Sequence, residues 1–268
     1  MRIRTTSVVA FWECPYRFYL KEVVGVKEIK FSYSLPWGNA VHAGIERVLL
    51  EDGDPVDAFL REWEKARERE DIEYPANGLN SWEKCKNLGE RLVEMFAEKW
   101  PSFGLTVAWD RKGPLVERWF SRKWEFDLGE PVEIEVTGHP DAILFDEEGN
   151  LVVLDFKTAS SPHDPNFATW ADQLTLYQEI VGPELEVQGF PPIKKLGFIE
   201  LLKRVKSPSV LPPALYPARG EEHRKDLEDK LFFIAVSLAT GRFPRTARYA
   251  YNSPCNLCGV SEYCITKS

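Results

Sequence analysis

Hydrophobic and polar residues follow a helical period in the N-terminal part of the chain. Apolar residues recur every three to four positions, as in helices with one buried face, in the segments 36–50, 54–70 and 81–100. In the first segment, Trp37, Val41 and Ile45 fall on one stripe, so we predict that this helix packs against a core. The second segment is densely charged, and we interpret its charges as a solvated face.

A different pattern begins near residue 105, where β-branched and aromatic residues predominate. Two apolar stretches flank the polar turn 146–150 and predict a hairpin, which continues an antiparallel meander. A helix over 168–181, a strand over 195–202 and a helix over 221–240 follow. This order of elements predicts a three-layer α/β fold with an N-terminal helical elaboration.

Three charged residues interrupt the apolar stretches of the predicted hairpin: Asp141, Asp155 and Lys157. Burying charges in a sheet is costly unless they are paired or bind a metal. Strand alternation places Asp155 and Lys157 on one face, and across the hairpin Asp141 can lie beside Asp155. Two adjacent carboxylates repel each other unless a cation lies between them, and hard oxygen ligands suit Mg²⁺ or Mn²⁺.

Three short motifs follow one another along the chain: Gly38 to His42, Pro140–Asp141 with Asp155-Phe156-Lys157, and Gln173 to Tyr177. They resemble the G-x-x-x-H, PD…(D/E)xK and Q-x-x-x-Y motifs of the RecB-like branch of the PD-(D/E)xK nuclease superfamily. The resemblance implies a restriction-endonuclease-like core, in which helices flank a mixed central sheet. It also implies a single RecB-like nuclease domain over 1–268, with a helical insertion over 51–104.

The resemblance further implies a role for each residue of the motifs. The metal ligands would be His42, Asp141, Asp155 and the main-chain carbonyl of Phe156. Lys157 would orient or help deprotonate the attacking water and stabilise charge on the phosphate. Gln173 and Tyr177, four residues apart on one helical face, would support Lys157 and contact the DNA backbone.

Other residues near these motifs receive weaker predictions. Glu117 resembles a further acidic position of such enzymes, and its role in the site is left open. Gly38, one turn before His42, would permit a close approach. We expect His139 to point to the opposite face of its strand, and we expect surface roles for His163 and His223.

The cysteines predict a second metal site. Cys255, Cys258 and Cys264 form a C-x2-C-x5-C pattern, and a structural zinc or a cubane iron–sulfur cluster needs a fourth ligand. Cys14 is the natural candidate, since Pro15 keeps it out of helical geometry. Cys85 lies within a charged helix with no cysteine near it in sequence, and we interpret it as a spare thiol.

An early cysteine, a nuclease core and a late C-x2-C-x5-C pattern together resemble the iron–sulfur nucleases of the AddB and CRISPR-adaptation type. Spacing alone favours zinc, whereas the resemblance implies a [4Fe–4S] cluster that joins residue 14 to residues 255–264. Zinc is the alternative. Such a cluster would link two ends of the chain around the catalytic core.

Composition narrows the function further. The net charge of −8 argues against indiscriminate coating of nucleic acid, although a local basic groove remains compatible with it. The sequence has no bilayer-length apolar run and no signal-peptide pattern, so we expect a cytoplasmic protein without a membrane partner. Basic and aromatic residues that suit single-stranded DNA alternate at Arg242, Phe243, Arg245, Arg248, Tyr249 and Tyr251.

The resemblance therefore implies a Mg²⁺- or Mn²⁺-dependent deoxyribonuclease. Exonuclease activity with a preference for single-stranded DNA is expected, in DNA end processing, repair and recombination or CRISPR adaptation. A helicase or integrase partner would supply unwinding or integration, because the chain has no phosphate-cradling G-x-x-x-x-G-K-[ST] motif. The rival interpretation is a non-catalytic DNA-end-binding subunit in which the cluster only staples the fold.

Overall fold

The computed structural model describes residues 1–27, 31–69, 71–164, 166–246, 255 and 258–266. Its helices are α1 (Thr5–Glu13), α2 (Pro15–Phe18), α3 (Ser34–Leu50), α4 (Pro55–Glu64), α5 (Trp82–Lys99), α6 (Phe167–Trp170), α7 (Asp172–Val187), α8 (Glu221–Thr240) and α9 (Ser261–Thr266). Its strands are β1 (Arg2–Arg4), β2 (Phe31–Ser32), β3 (Ile72–Glu73), β4 (Leu105–Val107), β5 (Trp109–Asp110), β6 (Gly113–Pro114), β7 (Phe120–Asp127), β8 (Pro131–Gly138), β9 (Ala142–Asp146), β10 (Leu151–Ala159), β11 (Ile193–Leu202), β12 (Ser209–Val210) and β13 (Ala214–Pro217).

The larger sheet has the strand order β12-β11-β10-β9-β4, with β13 also pairing with β11. Strands β10 and β11 are parallel, whereas the other pairs of this sheet are antiparallel. Helices α6 and α7 make the crossover that a parallel pair requires. The mixed sheet with helices on its faces confirms the predicted fold class.

The predicted antiparallel meander is wrong at one point. Strand β8 ends at Gly138 and pairs with β7, in a separate sheet of order β1-β8-β7, whereas β9 begins at Ala142 and pairs with β10. His139, Pro140 and Asp141 lie between the two strands. Pro140 has no N–H to donate to a ladder, so the strand breaks there and the two hairpins join different sheets.

Several predicted helices end elsewhere in the structure. The helix predicted over 54–70 ends at Glu64, and the one predicted over 168–181 is two helices separated at Ala171. Helix α7 continues to Val187 through Pro183, whose missing N–H frees the carbonyl of Glu179. Arg122 Nη1 donates to that carbonyl at 3.2 Å, which compensates for the lost helical bond. The helix predicted over 221–240 is confirmed.

Two apolar cores lie on the two faces of the larger sheet. Along β10, Leu151 and Val153 pack with α7 and α8, while Val152, Leu154 and Phe156 pack with α3 to α5. This alternation brings Asp155 and Lys157 to the α7 side. Helices α4 and α5, which form most of the segment 51–104, therefore cover one face of the sheet; that this segment is an insertion stays a prediction. Among the helices of the described residues, none has the length and apolarity to cross a bilayer.

Candidate active site

The two predicted carboxylates lie side by side at the open end of the β9–β10 hairpin, in the middle of the larger sheet. Leu154 of β10 pairs with Ala142 of β9, so the hairpin brings Asp155 and Asp141 to adjacent positions. Both side chains are buried. Asp141 Oδ2 accepts a hydrogen bond from the N–H of Phe156, whose carbonyl is a predicted ligand. The hairpin thus fixes Asp141 through the main chain of β10.

Helix α3 brings His42 to the same end of the β9–β10 hairpin. His42 Nδ1 lies 3.3 Å from Asp141 Oδ1 and 3.8 Å from Glu117 Oε1. One ligand atom from each of His42, Glu117 and Asp141 lies within 4.8 Å of the others, and within the described ranges this is the one such set of three His, Cys, Asp or Glu side chains. We call these three residues the metal group. An imidazole with two carboxylates is a donor set that divalent cations accept.

Glu117 is held in the metal group by an unusual backbone conformation. Its φ is +50°, and its N–H donates to the carbonyl of Asp141 at 3.1 Å. Its Oε2 lies 2.6 Å from Nδ1 of His139. The prediction that His139 points away from the site is therefore wrong, because β8 ends at Gly138 and its alternation does not extend to residue 139.

The remaining predicted residues form a separate network. We call Asp155, Lys157, Gln173 and Tyr177 the lysine network. Lys157 Nζ donates to Gln173 Oε1 at 2.8 Å and lies 2.6 Å from Asp155 Oδ2. Gln173 Nε2 donates to Asp155 Oδ1 at 2.9 Å and to the Tyr177 hydroxyl at 2.8 Å. Gln173 and Tyr177 therefore hold Asp155 as well as the lysine.

Asp155 lies outside the metal group, and its role as a metal ligand stays a prediction. Its Oδ2 is buried and ion-paired with Lys157, yet it accepts no hydrogen bond of acceptable angle. Buried carboxylate oxygens are normally hydrogen-bonded. The orphaned Oδ2 therefore keeps a lone pair that suits a cation. The residues present fit a divalent metal at this end of the β9–β10 hairpin.

Titration of the site reflects the closeness of its carboxylates. Burial and the neighbouring charge of Asp141 raise the pKa of Asp155 to about 6, against the lowering effect of Lys157. Burial would lower the pKa of His42, but the charge and hydrogen bond of Asp141 raise it well above its usual value. Burial would raise the pKa of Glu117, but hydrogen bonds from His139 and His42 lower it to about 2. The site has an excess of negative charge that protons or a cation can offset.

Tyr177 acts as a neutral donor in the lysine network. Burial and the charges of Asp155 and Asp141 raise its pKa, so the hydroxyl stays protonated. It donates to Asp155 Oδ1 at 3.3 Å while accepting from Gln173. Of the other histidines, His163 meets Glu200, and His223 stacks on Trp170.

The N-terminal and C-terminal cysteine segments lie next to each other, and no cysteine belongs to the metal group. Cys14 is extended, with φ −161° and ψ 104°, and α2 begins at Pro15 as the sequence predicts. The N–H of Tyr16 donates to the carbonyl of Pro244 at 3.2 Å, and the guanidinium of Arg245 lies 4.1 Å from the Tyr16 ring centroid. Cys14 therefore lies next to the chain that leads into the C-terminal cysteines.

The pKa values of the cysteines reflect their surroundings. Burial raises the pKa of Cys258, and the charges of Cys14 and Cys255 raise it further. A hydrogen bond with Cys264 raises the pKa of Arg245. Burial raises the pKa of Cys85 to about 12, and its Sγ approaches the carbonyl of Leu79 in the other core, which agrees with a spare thiol.

Three predicted DNA-contacting residues of the tail, Arg248, Tyr249 and Tyr251, lie outside the described residues.

Residues that the sequence singled out only weakly are nonetheless central to the site. Glu117 completes the metal group, but the sequence around it contains no motif that would have identified it as a ligand. His139 adjoins the PD motif directly, and its imidazole beside an acidic site is the signal that could have found it.

Comparison with known proteins follows the same direction as the geometry. A model of the PD-(D/E)XK nuclease superfamily matches residues 5–265. The fold is similar to that of a proposed exonuclease from Eubacterium rectale, with a TM-score of 0.50 and 12% identity, covering 98% of this chain and 87% of that chain. The structure of SSO0001 has a TM-score of 0.35 and 12% identity, with 97% of each chain covered. None of the curated proteins matches the chain.

Proposed function

Because the chain belongs to the PD-(D/E)XK nuclease superfamily, we propose that it is a metal-dependent deoxyribonuclease that hydrolyses phosphodiester bonds at DNA ends. The proposed cation is Mg²⁺ or Mn²⁺. The observation that carries this proposal is that the metal group and the lysine network are neighbours at the open end of the β9–β10 hairpin. A module that only binds DNA has no need of a cation site beside a lysine.

The metal group would hold the cation through His42, Glu117 and Asp141. Asp155 is a further proposed ligand through its orphaned Oδ2, and the carbonyl of Phe156 is a predicted one. Bound there, the cation would lower the pKa of a coordinated water and offset negative charge on the phosphate.

Lys157 would support the reaction through an N–H donor that the lysine network does not use. An ammonium has three N–H donors; one is given to Gln173, and the positive charge is paired with Asp155. The side chain is 30% exposed, so a remaining donor can reach a phosphate oxygen or the attacking water. Asp155 and Gln173 fix the direction of this donor before any substrate binds, which lowers the cost of reorganisation during the reaction.

The finer proposals rest on the resemblance to the iron–sulfur nucleases. We infer an exonuclease that prefers single-stranded DNA and acts in DNA end processing, repair and recombination or CRISPR adaptation. A helicase or integrase partner belongs to the same inference. The fold likeness to a proposed exonuclease is consistent with it.

A digestion series tests the proposed activity. Purified protein with Mn²⁺ is incubated with end-labelled linear and circular DNA, single-stranded and duplex. We expect cleavage of linear single strands, loss of cleavage in Asp155→Ala, and full activity in Asp229→Ala, which changes an exposed aspartate of α8. Equal survival of the DNA with wild type and Asp155→Ala, together with tight binding to ends, would establish the non-catalytic end-binding subunit instead. Cleavage of circles would contradict the requirement for ends.

We also propose that Cys14, Cys255, Cys258 and Cys264 bind a [4Fe–4S] cluster. The neighbouring thiols of Cys14, Cys255 and Cys258 support it, as does the contact of the two terminal segments at Tyr16 and Pro244. Thiolates are the ligands that such clusters use. The proposed role is structural, since none of these four cysteines belongs to the metal group.

Metal analysis after anaerobic purification tests the cluster. We expect about four irons and four sulfides per chain, with brown colour that is lost in Cys258→Ser and retained in the matched control Cys85→Ser. A colourless protein with stoichiometric zinc would establish the zinc alternative. Retention of the full iron content in Cys14→Ser would remove Cys14 from the ligand set.

A further inference from the structure

An open surface pocket lies near the metal group, at the end of the sheet formed by β1, β8 and β7. It has a volume of about 430 Å³, which is within the usual range for small-ligand sites of roughly 300–1,000 Å³. Its lining residues are Arg2, Ile3, Arg4, Glu22, Trp119 and Thr137. The floor is rigid, because Thr137 Oγ1 donates to the carbonyl of Ile3 at 3.2 Å and both residues are buried.

A short chain of contacts joins this pocket to the metal group. The rings of Trp119 and His139 are 4.4 Å apart, and His139 Nδ1 lies 2.6 Å from Glu117 Oε2. Glu117 belongs to the metal group. Only two side chains therefore separate the pocket from the proposed position of the cation.

Trp119 presents an aromatic face to solvent. The residue is 59% exposed, although tryptophan is buried to a large extent in most folded proteins. The His139 contact steadies the indole from within the site. An exposed indole that is steadied in this way offers a stacking surface for a planar ligand.

Positive charge lines the same pocket. Arg2 and Arg4 flank the buried Ile3 in β1, so they share the exposed face of the strand. Within the part of the chain that the structure describes, Arg4 has no ion-pair partner, while Arg2 lies 3.7 Å from Glu135. The carboxylate of Glu22 accepts a hydrogen bond from Ser7 at 2.8 Å, so it is already partly satisfied. Since Glu135 already pairs with Arg2, Arg4 is the guanidinium that is available to attract an anion to the pocket.

We propose that this pocket binds a nucleotide adjoining the scissile phosphate of single-stranded DNA, with the base on Trp119 and its phosphate at Arg4. The inference rests on the proposed nuclease function and names the substrate form that the site selects. Aromatic rings stack on any base, and arginines meet phosphates without reading sequence. A base within a duplex has neighbours on both faces, so only an unpaired or terminal base can stack on this indole. The pocket therefore supplies a physical reason for a single-strand preference.

The first arm of the test measures stacking. Binding of a labelled oligothymidylate to the full chain without divalent metal is followed by fluorescence anisotropy. Stacking of one base predicts roughly 10-fold weaker binding in Trp119→Ala and less loss in Trp119→Phe. The matched control is Trp109→Ala, because Trp109 is 63% exposed on the β5–β6 hairpin outside the pocket. We expect the control to bind like the wild type.

The second arm locates the base and the phosphate. In a set of oligonucleotides with one abasic position each, wild type should lose affinity at a particular position, and Trp119→Ala should lose none. Arg4→Gln should reduce the slope of log Kd against log salt by about 1. Wild-type affinity in Trp119→Ala, or the same abasic profile in both proteins, would overturn this inference even if the nuclease is active. Absence of both cleavage and binding in the wild type would instead remove the proposed function itself.

Discussion

The metal group and the lysine network are neighbours, but they satisfy their buried charges in different ways. In the lysine network, one ammonium, one amide and one hydroxyl surround the carboxylate of Asp155. In the metal group, two carboxylates face histidines, and although burial would lower the pKa of His42, the charge and hydrogen bond of Asp141 raise it. The network is therefore assembled before a cation binds, whereas the metal group depends on a proton or a cation.

The two sets of residues also differ in the backbone that carries them. Asp155 and Lys157 lie within β10, and Gln173 and Tyr177 lie in the first turns of α7. Glu117 lies before β7 with a positive φ, and Asp141 lies in the break between β8 and β9. Regular elements thus hold the lysine, while irregular segments hold most of the metal group. We expect substitutions in the two sets to affect different kinetic constants.

The largest expected effect is that of Lys157→Gln. It removes the ammonium but keeps a polar side chain, so kcat should fall by roughly 10²- to 10³-fold, as when one oriented donor is removed from an active site. The Mn²⁺ concentration for half-maximal activity should change little, because the metal group is intact. Kinetics over a Mn²⁺ titration measure both. Lys225→Gln on α8 is the control, since Lys225 is exposed. A shift in metal requirement as large as the fall in kcat would show that the two sets are not separate.

Glu117→Gln should show the opposite behaviour. Loss of one carboxylate should weaken Mn²⁺ binding by roughly 10- to 100-fold, and activity should return at high Mn²⁺. The stabilisation that Mn²⁺ gives against thermal unfolding should shrink in parallel. Calorimetric Mn²⁺ titration and melting curves measure these effects, with Glu228→Gln as the exposed control on α8. A kcat that stays low at saturating Mn²⁺ would place Glu117 in the chemistry and not in metal binding.

This difference explains what the sequence could predict about the site. Asp155 and Lys157 two apart on a strand, and Gln173 and Tyr177 four apart on a helix, share faces because strands and helices have fixed periods. The spacing alone therefore brings each pair together. Glu117 reaches the metal group through a φ of +50°, and no periodic pattern encodes that conformation. The prediction for His139 is wrong for the same reason, because β8 ends one residue before it and its alternation does not reach residue 139.

The fold shows the same division. Helix α8 has the predicted bounds, since its apolar positions and its glycine at each end agree with one another. The sheet of order β1-β8-β7 could not be predicted, because β1 has only three residues and pairs with β8 across more than 130 positions of sequence. Such a pairing depends on tertiary packing, which leaves little trace in a short segment.

Two glycines of α3 give a matched test of how His42 is held. A Cβ at Gly44 would lie 2.8 Å from Val93 Cγ2 and 2.9 Å from the carbonyl of Pro55, so Gly44→Ala should destabilise the protein by about 1–3 kcal/mol. A Cβ at Gly38 would lie 3.7 Å from Thr158 Oγ1, an ordinary contact. Gly38→Ala should therefore be neutral or stabilise by up to about 1 kcal/mol. That Gly38 permits a close approach to the site stays a prediction.

Urea denaturation measures both variants, and a Mn²⁺ titration then connects them with the site. Gly44→Ala should also raise the Mn²⁺ requirement, because a shift of α3 moves His42 relative to Asp141. The lysine network does not include α3, so kcat at saturating Mn²⁺ should be kept. Equal destabilisation by the two glycine variants would mean that α3 does not pack as the structure shows.

The smallest expected effect is that of Tyr177→Phe. Its hydroxyl donates to Asp155 Oδ1 at 3.3 Å, but that oxygen still accepts from Gln173 at 2.9 Å when the hydroxyl is removed. Losing one of two hydrogen bonds should cost about 0.5–1.5 kcal/mol of stability and less than roughly 10-fold in kcat. Gln173→Ala should cost more, because Gln173 makes hydrogen bonds with Lys157, Asp155 and Tyr177. If Tyr177→Phe reduced kcat as far as Lys157→Gln, the hydroxyl would have to contact the reacting phosphate directly, and the lysine network would be part of the substrate site and not only its support.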